Sequence, residues 1–222
     1  PKYESNMFKH ETQVIKFLLQ WYSVNARNLP WRKKNTLNLP DPYFVFVSEY
    51  MLQQTTVNTV KNKFNDFILK WPSLNKLAQT SEPNILKFWS GLGYYSRARN
   101  LLKSAKIIHK NFKNNIPKTY DELIQLPGIG DYTAKAILGI GYNQLVMPLD
   151  ANIERILVRL YAIDKPINKV KNKLKDLGKK FISDKYSSNL IQSFMDYGSE
   201  ICLPRNPKCN ICGINKFCQS YK

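Results

Sequence analysis

All the cysteines of this chain fall in one short segment. Cys202, Cys209, Cys212 and Cys218 are spaced C-x6-C-x2-C-x5-C, and no other cysteine occurs among the 222 residues. Four thiolates without a clustered histidine suit either structural zinc or a [4Fe–4S] cluster. Disulfides of secreted proteins are usually spread so that they staple distant segments. The clustering therefore predicts a metal site, and the spacing alone leaves the metal open.

Two acidic residues stand where a carboxyl group could do chemistry. Glu49 lies in FVFVSEYML, where burial among apolar residues would raise its pKa and keep a proton available near pH 7. The alternative is a solvated glutamate on an amphipathic helix. Asp150 precedes a helical pattern, so it is at least a good N-cap, held ionised by the helix dipole.

The segment LPGIG at 126–130 lies between two helical patterns. Gly128 and Gly130 permit positive φ and remove side chains that would block a close approach. Backbone N–H groups at the start of the next helix could then hold a phosphate. An ordinary helix–helix connection, which also favours glycine, explains the segment equally well.

The charge is strongly unbalanced. There are 34 Lys and Arg against 16 Asp and Glu, a net charge of +18. Such a chain favours a polyanionic partner, most commonly nucleic acid, although solubility or an AT-rich genome would also enrich lysine. The lysine-rich runs 101–118 and 165–185 are either solvated helix faces or DNA-facing surfaces.

Neither a membrane-spanning run nor a signal peptide is seen in the sequence. We therefore expect a cytoplasmic protein without a membrane partner, and a monomer.

Apolar residues recur at helical spacing along most of the chain, including the segments that carry Glu49, the 126–130 turn and Asp150. The prolines at 30, 40 and 42 predict a loop over 25–44, and FVFV does not predict a strand because no partner run lies nearby. The fold class is therefore all-α. Helices are predicted over 11–24, 73–90, 96–114, 118–125, 131–141, 150–162, 168–181 and 187–199, with one bent helix or two over 44–71.

Several motifs together resemble one protein family. LPGIGDYTAKAIL resembles the helix-hairpin-helix of the DNA glycosylase superfamily that includes endonuclease III, and LDANIERIL looks like its loop with the catalytic aspartate. The branch resembled is the MutY-type adenine DNA glycosylases, a group of bacterial and other DNA-repair enzymes. That closer likeness rests on LPWR, DPYFVFVSEYMLQQT, GLGYYSRARNL and FMDYGSEICLPRNPKC.

The resemblance implies removal of adenine mispaired with 8-oxoguanine or guanine. Glu49 would protonate the adenine at N7, while Asp150 would stabilise the cationic sugar or bond to it in passing. Asn152 would help to orient the site. Bifunctional relatives carry a Schiff-base lysine where this chain has Tyr132. Because a phenol cannot form an imine, we expect base excision without efficient strand cutting.

The resemblance also assigns contacts to the DNA duplex, from which the base must be flipped out. Gln54 would be the wedge and Thr55 would contact the opposing base. Tyr94 would stack beside that base with Leu92 nearby, although core packing would explain both side chains as well. The adenine pocket would be lined by Arg32 and Asp196.

The cysteine spacing looks like the [4Fe–4S] cluster loop of the same family, which favours the cluster over zinc. We expect two helical lobes: a six-helix bundle over 30–145 with the hairpin, and a second lobe of 1–29 plus 146–222 with the cluster. The cleft would present Glu49 on one wall and Asp150 on the other.

The mispair that would be recognised and the function itself each have alternatives. MutY-type enzymes usually continue into a domain that recognises 8-oxoguanine, whereas this chain stops four residues after Cys218. The expectation is therefore a short form acting on mismatched double-stranded DNA, with A:G and A:8-oxoguanine both possible. The rivals are a mismatch thymine or uracil glycosylase on the same scaffold, and a non-catalytic DNA-binding protein.

Overall fold

The computed structural model describes residues 2–183 and 185–221, with side chains from residue 10 onward. In this part of the chain the elements are helical, and β pairing is limited to an isolated bridge between Lys34 and Pro40. The all-α prediction is confirmed. The α-helices are α1 (Lys2–Asn25), α2 (Pro42–Leu52), α3 (Val57–Lys70), α4 (Leu74–Ala78), α5 (Glu82–Trp89), α6 (Ser96–Phe112), α7 (Tyr120–Ile124), α8 (Asp131–Ala136), α9 (Ala151–Leu160), α10 (Ile167–Lys179) and α11 (Ser187–Glu200).

The chain divides into two compact units. The hairpin unit is Asn28–Tyr142, and the cysteine unit holds the chain up to Arg27 and from Asn143 onward. The sequence placed these boundaries near residues 30 and 145. None of the described helices is long and apolar enough to cross a lipid bilayer.

The hairpin unit is built around α2. This helix is apolar on every side, and its residues from Val45 to Met51 are buried. A helix of this kind must be covered on all sides; α3, α6 and α8 pack against it. Aromatic side chains fill the neighbouring space, with Phe67 packing against Trp71 at 4.8 Å between ring centroids. The run that contains Glu49 is therefore core.

The cysteine unit is built around α11. Every residue from Ser187 to Gly198 except Asn189 is buried, and the helix packs against α1 and α9. On α1, Trp21 and Phe17 make edge-on contacts with the ring of Tyr197. Helix α10 packs against α9, burying Val170, Leu174 and Leu177 while its lysines stay at the surface.

Local capping explains where several helices begin. The side chains of Asp41, Thr56, Ser73 and Thr119 each accept a hydrogen bond from a backbone N–H in the first turn of the following helix. Such bonds satisfy amides that have no partner within the helix.

Two expectations about helix boundaries were wrong. The loop predicted over 25–44 ends early because Pro42 opens α2 at its first position, where a missing N–H costs nothing, and Pro30 opens a 3-10 turn. The helix predicted over 73–90 is two helices. Pro83 lies in the first turn of α5, and a proline cannot donate the hydrogen bond that would continue α4.

The segment predicted as one helix over 131–141 changes its winding. After α8 it continues as a π-helical turn over Ile137–Gly141. A side chain at Gly141 would meet the Cα of Pro42 at 3.2 Å. Glycine is therefore what allows this turn to pack directly on the first residue of α2.

Candidate active site

Asp150 is the N-cap of α9. Its Oδ1 accepts from the N–H of Ile153 at 2.7 Å, and its Oδ2 accepts from Nδ2 of Asn152 at 3.0 Å. Burial raises the pKa of the Asp150 carboxyl, while these hydrogen bonds and the charge of Arg155 act in the opposite direction. Desolvation therefore opposes the charged form of Asp150 while its local partners favour that form. That the start of the helix holds this carboxyl ionised stays a prediction.

Asn152 is oriented by an arginine on the same helix. Its Oδ1 accepts from Nη2 of Arg155 at 2.7 Å. Because a guanidinium can only donate, the amide oxygen must face Arg155 and the amide NH2 must face Asp150. The same arginine also donates to the carbonyls of Gly198 and Cys202, at 2.6 and 2.7 Å. A Cβ at Gly198 would lie 2.6 Å from that of Asn152, so this position has no room for a side chain.

Glu49 is buried in α2, with 6% of its surface exposed. The alternative of a solvated glutamate is therefore wrong. Glu49 belongs to the hairpin unit, as does Tyr132, whereas Asp150 and Asn152 belong to the cysteine unit.

The hairpin loop contains one glycine that its conformation requires. Gly128 has φ +81°, and a Cβ there would meet Asn100 Nδ2 at 3.0 Å and Tyr50 Cε1 at 3.1 Å. Gly130 has φ −105° and open space around its Cα. The positive φ that glycine permits is therefore adopted at Gly128, whereas at Gly130 ordinary extended backbone leads into α8.

Tyr132 is half-buried in α8. The nearby amine, Lys135, lies 2.9 Å from a carboxylate oxygen of Asp131, one helical turn earlier. Asp131 also accepts from the hydroxyl of Tyr120 at 2.9 Å. The amine closest in sequence to Tyr132 is therefore held in an ion pair on its own helix.

The side chains assigned to DNA insertion differ in exposure. Gln54 is exposed and Thr55 is half-buried. Tyr94 is 62% exposed, whereas Leu92 is only 6% exposed and is part of the core. Neither Gln54 nor Tyr94 lies in a helix, and both have positive φ, at 55° and 45°.

The two side chains assigned to the adenine pocket lie in different units. Arg32 ends the 3-10 turn of the hairpin unit and is half-buried. Asp196 is fully buried in α11. Its Oδ1 accepts from Nε of Arg27 at 2.6 Å, and its Oδ2 accepts from the backbone N–H of Arg27 at 2.9 Å. Both carboxylate oxygens of Asp196 thus have partners inside the cysteine unit.

The cysteines line one cavity, together with apolar side chains such as Ile156 and Leu160. Arg159 Nη1 lies 3.3 Å from the Sγ of Cys202, and the hydroxyl of Tyr197 lies 3.3 Å from that of Cys212. Among the described residues no three His, Cys, Asp or Glu side chains are arranged to hold a single metal ion. The cavity-lining thiols are Cys202, Cys209, Cys212 and Cys218.

The chemistry of this cavity suits a bound cation. Burial raises the pKa of the Cys212 and Cys218 thiols. Holding such groups as thiolates requires a positively charged partner, which iron or zinc supplies. Hydrogen bonds from Arg159 and Tyr197 to the sulfurs are of the kind that tunes metal–thiolate groups.

The family follows from comparison with known proteins. Residues 47–180 match the description "HhH-GPD superfamily base excision DNA repair protein". The chain belongs to the HhH-GPD superfamily. The matched range of this HhH-GPD chain includes Glu49, the 126–130 hairpin and Asp150.

Relatives of this HhH-GPD chain are named adenine DNA glycosylase. That of Buchnera aphidicola subsp. Schizaphis graminum is 42% identical over 208 residues, covering 92% of this chain and 58% of the relative. That of Rattus norvegicus is 39% identical over 211 residues, covering 92% of this chain and 41% of the relative. The chain thus spans about half the length of these relatives.

Solved structures share the fold of this HhH-GPD chain. A thermostable thymine-DNA glycosylase matches with a TM-score of 0.85 and 25% identity, over 96% of this chain and 97% of that one. Endonuclease III in a non-covalent DNA complex matches with a TM-score of 0.74 and 18% identity, over 95% and 96% of the two chains.

Three arginines of this HhH-GPD chain that hold site residues or the cysteine segment by hydrogen bonds were not predicted from the sequence. Arg155 and Arg159 are one turn apart on α9, and both reach the start of the cysteine segment. Their helical spacing from Asn152 is a signal that they share its face. Arg27, which binds Asp196 from 169 residues away, has no such local signal.

Proposed function

We propose that this protein removes adenine from mispairs in double-stranded DNA by hydrolysing the N-glycosidic bond. The observation that carries the proposal is the site at Asp150, a partly buried carboxylate at the start of α9 whose oxygens accept from Ile153 N–H and Asn152. The adenine DNA glycosylases among the relatives support adenine as the base, and the net charge of +18 supports DNA as the partner.

The reaction divides between the two carboxyl groups. Glu49 gives its proton to N7 of the adenine, so that the bonding electrons leave with a neutral base. Asp150, as an anion, stabilises the positive charge left on the deoxyribose or bonds to it in passing. Water then supplies the hydroxyl at C1′ and returns its other proton to the Glu49 carboxylate, so that free adenine and an abasic site remain. Asn152 donates a hydrogen bond from its NH2 group to the Asp150 carboxylate, which favours the charged form of Asp150.

The same proposal makes the enzyme monofunctional. Tyr132 cannot form an imine with the sugar, and Lys135 is paired with Asp131. Strand breaks should therefore appear only after alkali treatment. On the DNA side, Gly128 and Gly130 would approach a phosphate. Base contacts are proposed for Arg32, Gln54, Thr55 and Tyr94. The roles assigned to Leu92 and Asp196 would require these buried side chains to be uncovered, because Leu92 is part of the core and both carboxylate oxygens of Asp196 accept from Arg27.

We further propose that the cysteine cavity holds a [4Fe–4S] cluster with a structural role. The all-thiolate donor set around one cavity supports it, together with a spacing that resembles the family's cluster loop. The basic side chains of Arg205, Lys208 and Lys216 lie between these ligands in sequence and would be presented to phosphates. Metal analysis of the purified protein should find iron and acid-labile sulfide; zinc without iron would contradict the cluster.

The substrate is tested with a panel of duplexes carrying A:8-oxoguanine, A:G and G:T mispairs, with and without alkali. Adenine release from A:8-oxoguanine or A:G, with breaks only after alkali, is expected for a monomer working in the bacterial cytoplasm on nucleoid DNA. The second candidate is thymine release, favoured by the structural match to a thymine-DNA glycosylase. Release of thymine from G:T with adenine untouched would establish this second candidate. Binding to mismatched DNA without release of any base would show a non-catalytic DNA-binding protein.

A further inference from the structure

Two exposed residues of the hairpin unit hold a backbone conformation that L residues avoid. Gln54 and Tyr94 have φ 55° and 45°, although neither is glycine. Residues in this region persist only where their surroundings hold them, and they concentrate at functional sites. Gly91 and Gly93, at φ 90° and 69°, lie in the same turn just before Tyr94. Other groups must therefore hold the backbone around Gln54 and the backbone around Tyr94 in place.

The group that holds them is the guanidinium of Arg97, on the first turn of α6. Arg97 is 5% exposed. On one side it donates to the segment before Gln54, and on the other to the turn before Tyr94. Nη1 donates to the carbonyls of Tyr50 at 3.2 Å, Met51 at 2.7 Å and Gln53, and Nη2 to those of Leu92 at 2.8 Å and Gly93 at 3.1 Å.

No acidic side chain forms an ion pair with Arg97 among the described residues. Its charge is instead met by carbonyl dipoles at the C-terminal end of α2, where backbone oxygens lack partners within the helix. The guanidinium also lies over the rings of Trp89 and Tyr94, at 5.4 and 5.7 Å from the centroids. The hydrogen bonds that this buried cation donates to the two segments therefore all go to backbone carbonyls.

We propose that Arg97 is a positioning residue that joins segment 53–55 and turn 91–95 into one insertion element, so that Gln54 and Tyr94 enter the duplex together. This proposal rests on the proposed function, in which Gln54 is the wedge and Tyr94 stacks beside the opposing base. A planar guanidinium can bridge two loops because its NH2 groups point in fixed, separate directions. A lysine ammonium keeps the charge at this position but is a single point that cannot span both segments.

The insertion element is tested by fluorescence, without base release. The target adenine is replaced by 2-aminopurine, which brightens when it leaves the stack, and an Asp150→Asn background prevents chemistry. At saturating protein, the Arg97→Lys variant should lower the insertion equilibrium about 10-fold, the effect of leaving buried carbonyls without donors. The matched control is Arg99→Lys, since Arg99 lies on the same helix with an exposed partner, Glu82, at 3.0 Å.

This design separates the two levels of the proposal. If the wild type releases no adenine, but brightening occurs and is lost in Arg97→Lys alone, the insertion element stands and the glycosylase function fails. If adenine is released, but Arg97→Lys and Arg99→Lys brighten the probe as the parent does, the function stands and the role of Arg97 is wrong.

A second measurement leaves Arg97 intact and decides the case in which Arg97→Lys fails to fold. Gln54→Ala, Tyr94→Ala and the double variant are compared in the same fluorescence assay. Because one guanidinium holds both segments, the double variant should lose little more insertion than the worse single variant. Fold-losses that multiply would show that the two residues insert independently and would overturn the proposal.

Discussion

The surroundings of Asp150 and the insertion element are held in place by different means. At Asp150 the position comes from side chains on a regular helix: the carboxylate caps α9 and Asn152 donates to it. In the insertion element it comes from strained backbone at Gln54 and Tyr94, whose flanking carbonyls are held by Arg97. A polar group on a regular helix can be exchanged for a similar one without disturbing the backbone. A strained loop cannot be changed in this way, so the two regions should respond differently to substitution.

The largest effect is expected for Asp150→Asn. An amide cannot stabilise a cationic sugar, so single-turnover release of adenine should fall roughly 10³-fold or more. Asparagine caps helices as well as aspartate does, so the free energy of unfolding should change by less than about 1 kcal/mol. The control is Asp176→Asn, an exposed acid in the same unit paired with Lys179. If the control also loses adenine release, or if Asp150→Asn unfolds, the loss of activity would not be due to a chemical role of Asp150.

Glu49→Gln should have the next largest effect. The substitution keeps the shape of the buried side chain and removes the proton, so release should fall about 10²- to 10⁴-fold. Fluorescence anisotropy on mismatched DNA should show unchanged binding. Glu82→Gln, an exposed acid in the same unit, is the control. A Glu49→Gln variant that still works at the wild-type rate would mean that another group protonates the base.

Arg155→Met should lower release by about 10- to 100-fold, because the Asn152 oxygen loses its donor and the amide can turn its oxygen toward Asp150. Arg159→Met is a matched comparison: Arg159 also binds the cysteine segment, through the carbonyls of Leu203 and Pro204, but does not contact Asn152. Equal losses of adenine release in the two variants would show that the effect comes from the cysteine segment and not from the orientation of the Asn152 amide.

The smallest effect concerns the hairpin loop. Gly128→Ala should destabilise the protein by about 1–2 kcal/mol, since alanine is strained at φ +81° and its Cβ would press on Asn100 and Tyr50. Gly130→Ala, with negative φ and open space, should stay within about 0.5 kcal/mol of the wild type. Urea unfolding compares the two variants. Equal losses would mean that conformation is not what requires Gly128.

What the sequence could predict is mostly local. The N-cap at Asp150 follows from a carboxylate placed just before a helical pattern, and the burial of Glu49 follows from the apolar run around it. The start of α2 at Pro42 was missed because proline is read as a helix breaker, although it is favoured at the first helical position.

The long-range contacts could not be predicted. Periodicity shows which face of α6 carries Arg97, but not that its guanidinium meets carbonyls 44–47 residues earlier in the chain. The strain at Gln54 and Tyr94 has no signal in residue type, because neither residue favours positive φ. These positions are set by packing between segments, which a single sequence does not record.

The pH dependence of adenine release tests the central claim most directly, namely that one carboxyl acts as an anion and the other as a proton donor. Burial raises the pKa of Asp150, so the single-turnover rate should fall as the pH drops through that raised pKa, because the protonated carboxyl no longer carries the charge that stabilises the sugar. The Glu49→Gln variant should keep this fall at low pH while releasing adenine more slowly at every pH. A rate that does not fall at low pH, or a Glu49→Gln variant that releases adenine at the wild-type rate, would contradict the account.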